Sequence, residues 1–397
     1  MLSLCKDNIN VWDLLYLCNM KRLALTVLAL LAGMAAGAQD FGAVRMAGPD
    51  SGRMMRGMMP DSAMRRNGMG PGGMPGGMPP QGLGGMQGEV PEYKPECSAA
   101  QTLSIVVDKS YKADKSGVTI QEGVEYVDRD GIKLYLTIIM PKGSYTAALK
   151  VDEESGAGRK AAPCIVAVPG SAWRKQFIMA EHYVDYANRG FVVAVVEYRH
   201  TGQAIFPAQV QDCKTAVRFM RKNAAKYGVD VNNVFLLGDS SGGHTVLLTG
   251  TTSGNKELDT DSYSEYSDAV NAIAAFYPPT DIFAMKGYPS VVDHNSADSN
   301  EGALIGGEVS ANQDKAWKAS PIAYLSRDVQ IPPILLADGT KDPIVPSNQT
   351  DRYACRLSEL GKNFVFYSLP GASHGSAEFF TPEMVDLVAA FFEKYMK

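Results

Sequence analysis

The sequence has little net charge, no zinc-type cysteine spacing, no propeller-like repeat and no apolar run long enough to span a bilayer. Over 397 residues, 38 Lys and Arg stand against 43 Asp and Glu, a net charge of −5 without clustering. That balance argues against a nucleic-acid partner. Six cysteines, Cys5, Cys18, Cys97, Cys164, Cys213 and Cys355, match no zinc ligand pattern. No metal or cofactor is expected, and disulfide pairing and oligomeric state have no signature. The apolar run at residues 23–31 meets Gly33 and Gly37 before reaching the about 20 residues that a spanning helix needs, so no transmembrane helix is expected in the mature chain.

That short run fits an export signal instead. Met20-Lys21-Arg22 supplies a basic start, and Ala36-Gly37-Ala38 an A-x-A cleavage site before Gln39. Asp7 and Asp13 lie upstream, where a basic segment belongs, which places the start of translation at Met20. The expectation is a signal peptide at 1–38 and a periplasmic or secreted protein; no cysteine follows the run to take a lipid anchor. Residues 39–99 read as a disordered Met/Gly/Pro-rich linker, unable to bury enough apolar surface to offset chain entropy. Its thioethers give an alternative reading as a Cu(I) ligand set.

Globular composition begins near residue 100, leaving about 300 residues, the size of one large domain. Strands are expected at 103–107, 118–127 and 132–140, the last two as an antiparallel pair about Asp128-Arg129-Asp130-Gly131. From Cys164 onward, apolar strands alternate with amphipathic helices at 177–188 and 209–226. The pattern predicts an α/β fold, a doubly wound, mostly parallel sheet with helices on both faces. Residues 281–320 lack a clear period and follow a strand, so a small cap over the sheet edge is expected there. Thr381 and Pro382 mark the start of a final helix.

One stretch carries chemistry. Val234-Phe235-Leu236-Leu237 leads into Gly238-Asp239-Ser240-Ser241-Gly242-Gly243-His244, a strand ending in G-x-S-x-G and reopening as a helix. Gly238 and Gly242 relieve the tight turn, Ser240 stands out as a nucleophile, and the helix from Ser241 aims backbone N–H groups at a developing oxyanion. Two later apolar strands end in loops bearing Asp342 and His374, in the order acid then base that a serine nucleophile requires. Asp338 lies in the same loop as Asp342 and competes for the acid's role. His182, His200 and His244 read as packing or surface residues.

These segments resemble the α/β-hydrolase superfamily, and within it the carboxylesterases of the bifunctional feruloyl and acetyl xylan esterase type. The resemblance spans about residues 118–395. It rests on Pro169-Gly170-Ser171-Ala172-Trp173 in place of that family's H-G-G-G-W loop, on Glu197-Tyr198-Arg199 and Phe206-Pro207-Ala208-Gln209, on the Ser240 turn, and on Tyr277-Pro278-Pro279-Thr280-Asp281. Asp338-Gly339-Thr340-Lys341-Asp342 and Gly371-Ala372-Ser373-His374-Gly375 complete it. The resemblance implies Ser240 as nucleophile, His374 as base, and Asp342, directly before the Pro-Ile-Val-Pro turn, as acid. It implies the backbone N–H groups of Ser171 and Ser241 as oxyanion hole, with Trp173 as a sugar-facing ring; His294, in the expected cap, is a further substrate contact. It also implies a serine ester hydrolase acting on short acyl esters, acetyl or feruloyl, of carbohydrate, as small esters or acylated polysaccharide; with the export signal, the expectation is an exported enzyme. A prolyl-oligopeptidase-like peptidase, a lipase-like carboxylesterase and a non-catalytic envelope protein are the alternatives. Glycine positions held by Ser171 and Ala172 are a departure, because those residues enter left-handed backbone only at a cost.

Overall fold

The computed structural model describes residues 90–142 and 161–397. The expected signal peptide, the linker up to residue 89 and nearly all of the polar loop at 142–159 lie outside the described residues. In chain order the elements are β1 Ala100–Thr102, β2 Val118–Arg129, β3 Ile132–Pro141, β4 Ala162–Val168, α1 Glu181–Asn188, β5 Val192–Val196, α2 Ala208–Lys222, α3 Ala224–Tyr227 and β6 Val229–Asp239. They continue as α4 Ser241–Thr251, β7 Ile273–Phe276, α5 Asn300–Ile305, α6 Gln313–Lys318, β8 Ile334–Gly339, α7 Asn348–Glu359, β9 Phe364–Leu369 and α8 Pro382–Glu393.

The strands form one sheet in the order β1-β9-β8-β7-β6-β4-β5-β3-β2. β2 and β3 pair antiparallel, as the turn between them predicts, and β3 also runs antiparallel to β5. Every other neighbouring pair is parallel. Residues alternate between faces along each strand. Cys164, Val166 and Val168 of β4 join one core with Cys213 and Val217 of α2, Leu247 of α4 and Leu357 of α7. Ile165 and Ala167 join the other with Val184 of α1 and Val388 of α8. Burial on both faces explains the uninterrupted apolar run of β5, each fully buried side chain contributing about 1.5–3 kcal/mol.

The chain passes from β4 to β5 on one side and then to β6 on the other side of β4. Ligands of such sheets bind at this reversal, outside the carboxyl ends of the strands. The ends of β4 and β6 carry the Pro169–Trp173 loop and Ser240.

Three expectations are revised. The first strand is Ala100–Thr102 rather than 103–107. Its partner β9 ends at Leu369 before Pro370, which has no N–H to extend the ladder. The helix expected at 177–188 starts only at Glu181, and that expected at 209–226 breaks at Asn223, whose side chain donates to Phe219 O. Residues 90–99, expected in the linker, pack against the domain instead. Tyr93 N–H donates to Thr340 O, and Tyr93 Oη, Glu96 N and Cys97 N all donate to the buried carboxylate of Asp351 at 2.9–3.0 Å.

Candidate active site

Ser240 sits between β6 and α4 with φ 52° and ψ −125°, strained backbone for a residue with a side chain. The strain is held from both sides: Ser240 N–H donates to Phe276 O at 2.9 Å, and Ser240 O accepts from His244 N at 3.0 Å. The flanking glycines are sterically required. A Cβ on Gly238 would fall 2.5 Å from Gly242 O, and one on Gly242 only 1.9 Å from Val168 O.

The loops after β8 and β9 bring up the partners. Lys341 N donates to Ala372 O and Gly371 N to Thr340 Oγ1, lacing the two loops together. His374 Nε2 lies 3.0 Å from Ser240 Oγ, and its Nδ1 lies 2.7 Å from Asp342 Oδ2. The carboxylate fixes the tautomer: Nδ1 donates to it, leaving Nε2 to accept from the serine hydroxyl. Asp342 Oδ1 accepts from Ile344 N and Val345 N at 2.8 and 2.9 Å, which explains the Pro-Ile-Val-Pro turn beside it. Its side chain is buried, whereas that of His374 is 19% exposed, so the triad opens at the imidazole. Asp338 is fully buried and makes no bond to His374; burial pushes its carboxyl well above the usual range. Of the two carboxyls in this loop, it is Asp342 that meets the imidazole.

The loop after β4 is held by Asp239, whose Oδ1 accepts from Gly170 N at 3.1 Å. A side chain on Gly170 would collide with Asp239 Oδ2 at 2.6 Å. Ala172 and Trp173 take φ of 52° and 54°, the left-handed backbone foreseen as costly. The expected Ser171 donor is already engaged: its N–H donates to Ser241 Oγ at 2.9 Å. Ser171 Oγ in turn lies 2.9 Å from Tyr198 Oη, closing a hydroxyl cluster under the loop. The next N–H, that of Ala172, has no acceptor among the described residues. Ser241 N–H opens α4, where no intrahelical acceptor exists.

Two substrate contacts expected from sequence are corrected. Trp173 is 1% exposed, packed with Ile282, Leu304, Ile305 and Ala316 of the cap region. Its Nε1 donates to His244 Nδ1 at 3.1 Å, and His244 Nε2 meets Ala319 O at 2.7 Å. The left-handed backbone turns the ring inward, so Trp173 anchors the cap and offers no ring to a sugar. His294 is also buried: Nε2 lies 2.8 Å from Ser290 Oγ and Nδ1 3.1 Å from Glu301 Oε1. Ser290 Oγ donates to Pro343 O and Ile344 O, so this chain of contacts steadies the Asp342 loop. His244 is the packing residue its position on the helix suggests, with burial holding its pKa down to about 4.

Sequence reasoning missed Tyr277, whose ring stands 4.7 Å from that of His374, and the Ser171, Tyr198 and Ser241 cluster. The Glu197-Tyr198-Arg199 motif was the available signal for the latter. Arg199 grips the buried Asp212 through Nε and Nη2, both at 2.9 Å, fixing the end of β5 beside Tyr198. Cys97, Asp351 and Cys355 bring their ligand atoms within 4.8 Å of one another. The Asp351 oxygens already accept three hydrogen bonds, and burial pushes the Cys355 thiol up to about 12. This corner is therefore poorly suited to a cation.

Comparison with known proteins follows the same lines. The BD-FAE family model matches residues 153–357. Esterase LipC of Mycobacterium tuberculosis is 28% identical over 220 residues, covering 54% of this chain and 53% of that protein. The chain spans about half the length of the curated relatives it matches first. Among solved structures, a truncated form of carbohydrate esterase from gut microbiota superposes with a TM-score of 0.61 at 27% identity, covering 72% of this chain and 99% of that one. A bifunctional GH43-CE protein of Bacteroides eggerthii gives 0.59 at 30% identity, over 70% of this chain and 38% of that one. The fold is that of the α/β-hydrolase esterases.

Proposed function

The chain belongs to the BD-FAE family, and on that premise we propose that it is an exported serine hydrolase that cleaves short acyl esters of carbohydrate. The observation that carries this reading is the hydrogen-bonded line Ser240, His374, Asp342 on a strained elbow. Ser240 Oγ bonds to the ester carbonyl carbon while its proton passes to His374 Nε2. The tetrahedral intermediate then expels the alcohol, which takes that proton, and leaves an acyl-enzyme. Water, deprotonated by the same imidazole, releases the acid. The N–H groups of Ser241 and Ala172 serve as oxyanion donors, since the Ser171 N–H is bonded to Ser241 Oγ.

The carbohydrate alcohol is supported by the names of the two structural neighbours, a carbohydrate esterase and a bifunctional GH43-CE protein. Export is supported by the basic and apolar segment ending at Ala38; the mass of the mature N-terminus checks it, and retention of residues 1–19 would count against it. For the activity, kcat/KM should fall along the nitrophenyl esters from acetate to octanoate, and acetate should be released from acetylated xylan. A fluorophosphonate should label Ser240. A profile rising toward long chains refutes the carbohydrate reading, and an unlabelled Ser240 refutes the hydrolase.

A further inference from the structure

Away from the triad, two thiols meet at the seam where residues 90–99 pack on the domain. Cys97 is buried, Cys355 is half-buried on α7, and their sulfurs lie within 4.8 Å of one another. Backbone contacts set this meeting. Cys97 N–H donates to Asp351 Oδ1 at 3.0 Å, beside the bonds from Glu96 N and Tyr93 Oη to the other oxygen. Cys355 follows Asp351 by one turn of α7, so both stand on one face of that helix. The carboxylate that docks the segment thereby sets Cys97 against Cys355. The other two cysteines among the described residues, Cys164 on β4 and Cys213 on α2, are fully buried in the core and closed to an oxidant.

We propose that Cys97 and Cys355 form a disulfide that staples residues 90–99 to α7. The proposal rests on the export part of the reading above, because such bonds persist in oxidising compartments. Rotation of the two thiols about their Cα–Cβ bonds brings the sulfurs together while the bonds to Asp351 stay in place. The oxidant is a disulfide, of a small thiol or of a thiol–disulfide oxidoreductase. Cys355, the more accessible thiol, loses its proton and attacks that disulfide, which leaves a mixed disulfide and one reduced thiol. Cys97 then loses its proton and attacks the Cys355 sulfur, releasing the second thiol. Two protons and two electrons thus pass from the cysteines to the oxidant. Burial and the Cys97 thiol beside it push the docked Cys355 thiol up to about 12, so the bond forms while the segment is undocked and the thiols ionise normally. Once made, it anchors a segment whose Tyr93 N–H and Glu92 carboxylate both meet Thr340, in the loop that carries Asp342.

The test takes full-length wild-type protein to equilibrium with oxidised glutathione at about pH 8.5, where undocked thiols ionise. The protein is then denatured, alkylated and digested without reductant. One peptide pair joined through Cys97 and Cys355 is expected, with Cys164 and Cys213 alkylated. Reducing the bridged protein should lower Tm by about 5 °C, because the bond joins residues far apart in sequence and restricts the unfolded chain. That shift should be absent from Cys97→Ser and from Cys355→Ser. Alkylation of Cys97 and Cys355 in the oxidised wild type, a bond from either to another cysteine, or a reductant shift that persists in both variants overturns the proposal. The wild-type peptide map decides the matter even if a variant fails to fold. Failure of export would be seen separately, in the mass of the mature N-terminus, since the oxidation is carried out on purified protein.

Discussion

Replacing Gly242 by alanine probes the site geometry with one methyl group. A Cβ there falls 1.9 Å from Val168 O and 2.7 Å from Val168 C. Ordinary C···O contacts lie near 3.3 Å, so the two backbones must separate by roughly 1.4 Å. Neither side has a flexible tip to give way: one is the end of β4 and the other the first turn of α4. Overpacking of this kind costs about 3 kcal/mol, which lowers Tm by roughly 5 °C in a domain of about 300 residues. The same separation pulls the oxyanion loop away from Ser240, and misplacement by about 1 Å costs about 100-fold in rate. The assay is kcat/KM on nitrophenyl acetate together with a thermal melt, with Gly287→Ala as control because no atom lies within 4 Å of its built Cβ. If Gly242→Ala kept wild-type kcat/KM and Tm, the close approach of β4 to α4 and the reasoning built on it would be refuted.

Three further outcomes are expected. Ser240→Ala and His374→Ala should each abolish turnover, Asp342→Asn should leave a small fraction, and Asp338→Asn should change turnover little because its carboxyl makes no bond to His374; a damaging Asp338→Asn with a harmless Asp342→Asn reverses the assignment. His244 is held neutral from its ordinary 6.5 down to about 4, so between those values the unfolded chain binds a proton that the folded one excludes. Stability should therefore fall by about 3 kcal/mol as pH drops through that window, and the Tm slope there should flatten in His244→Gln; an unchanged slope contradicts it. A chain starting at Val90 should melt like full length, whereas one starting at Ala100 leaves Asp351 without three donors and should lose about 3 kcal/mol; equal melting points would show that residues 90–99 contribute nothing.

The triad was legible because each member stands at a fixed distance from an apolar strand and in a turn whose residues admit few backbone shapes. Ser240 is framed by Gly238 and Gly242, and Asp342 by the turn whose N–H groups it accepts. Trp173 was not legible. An indole beside a ligand loop reads as a substrate contact, and only the left-handed backbone at Ala172 and Trp173 turns it inward. Residues 90–99 were misjudged for a related reason: polar, proline-bearing composition says nothing of a single distant carboxylate, Asp351, that collects their N–H groups. Ser171 shows the limit of carrying a motif across, since the Ser241 hydroxyl, one residue past Ser240, takes its backbone N–H.

The inward Trp173 ring has a consequence for how substrate enters. It joins the oxyanion loop, α4 through His244, and the cap through Leu304 and Ala316. Swinging the cap away would strip this ring, at about the 3–5 kcal/mol that removing a buried aromatic costs, which holds an open form below about one per cent. Substrate therefore meets a fixed mould. Hydrolysis should begin without a lag on mixing, and an oil–water interface, which speeds enzymes by drawing back a hinged lid, finds none to draw among the described residues.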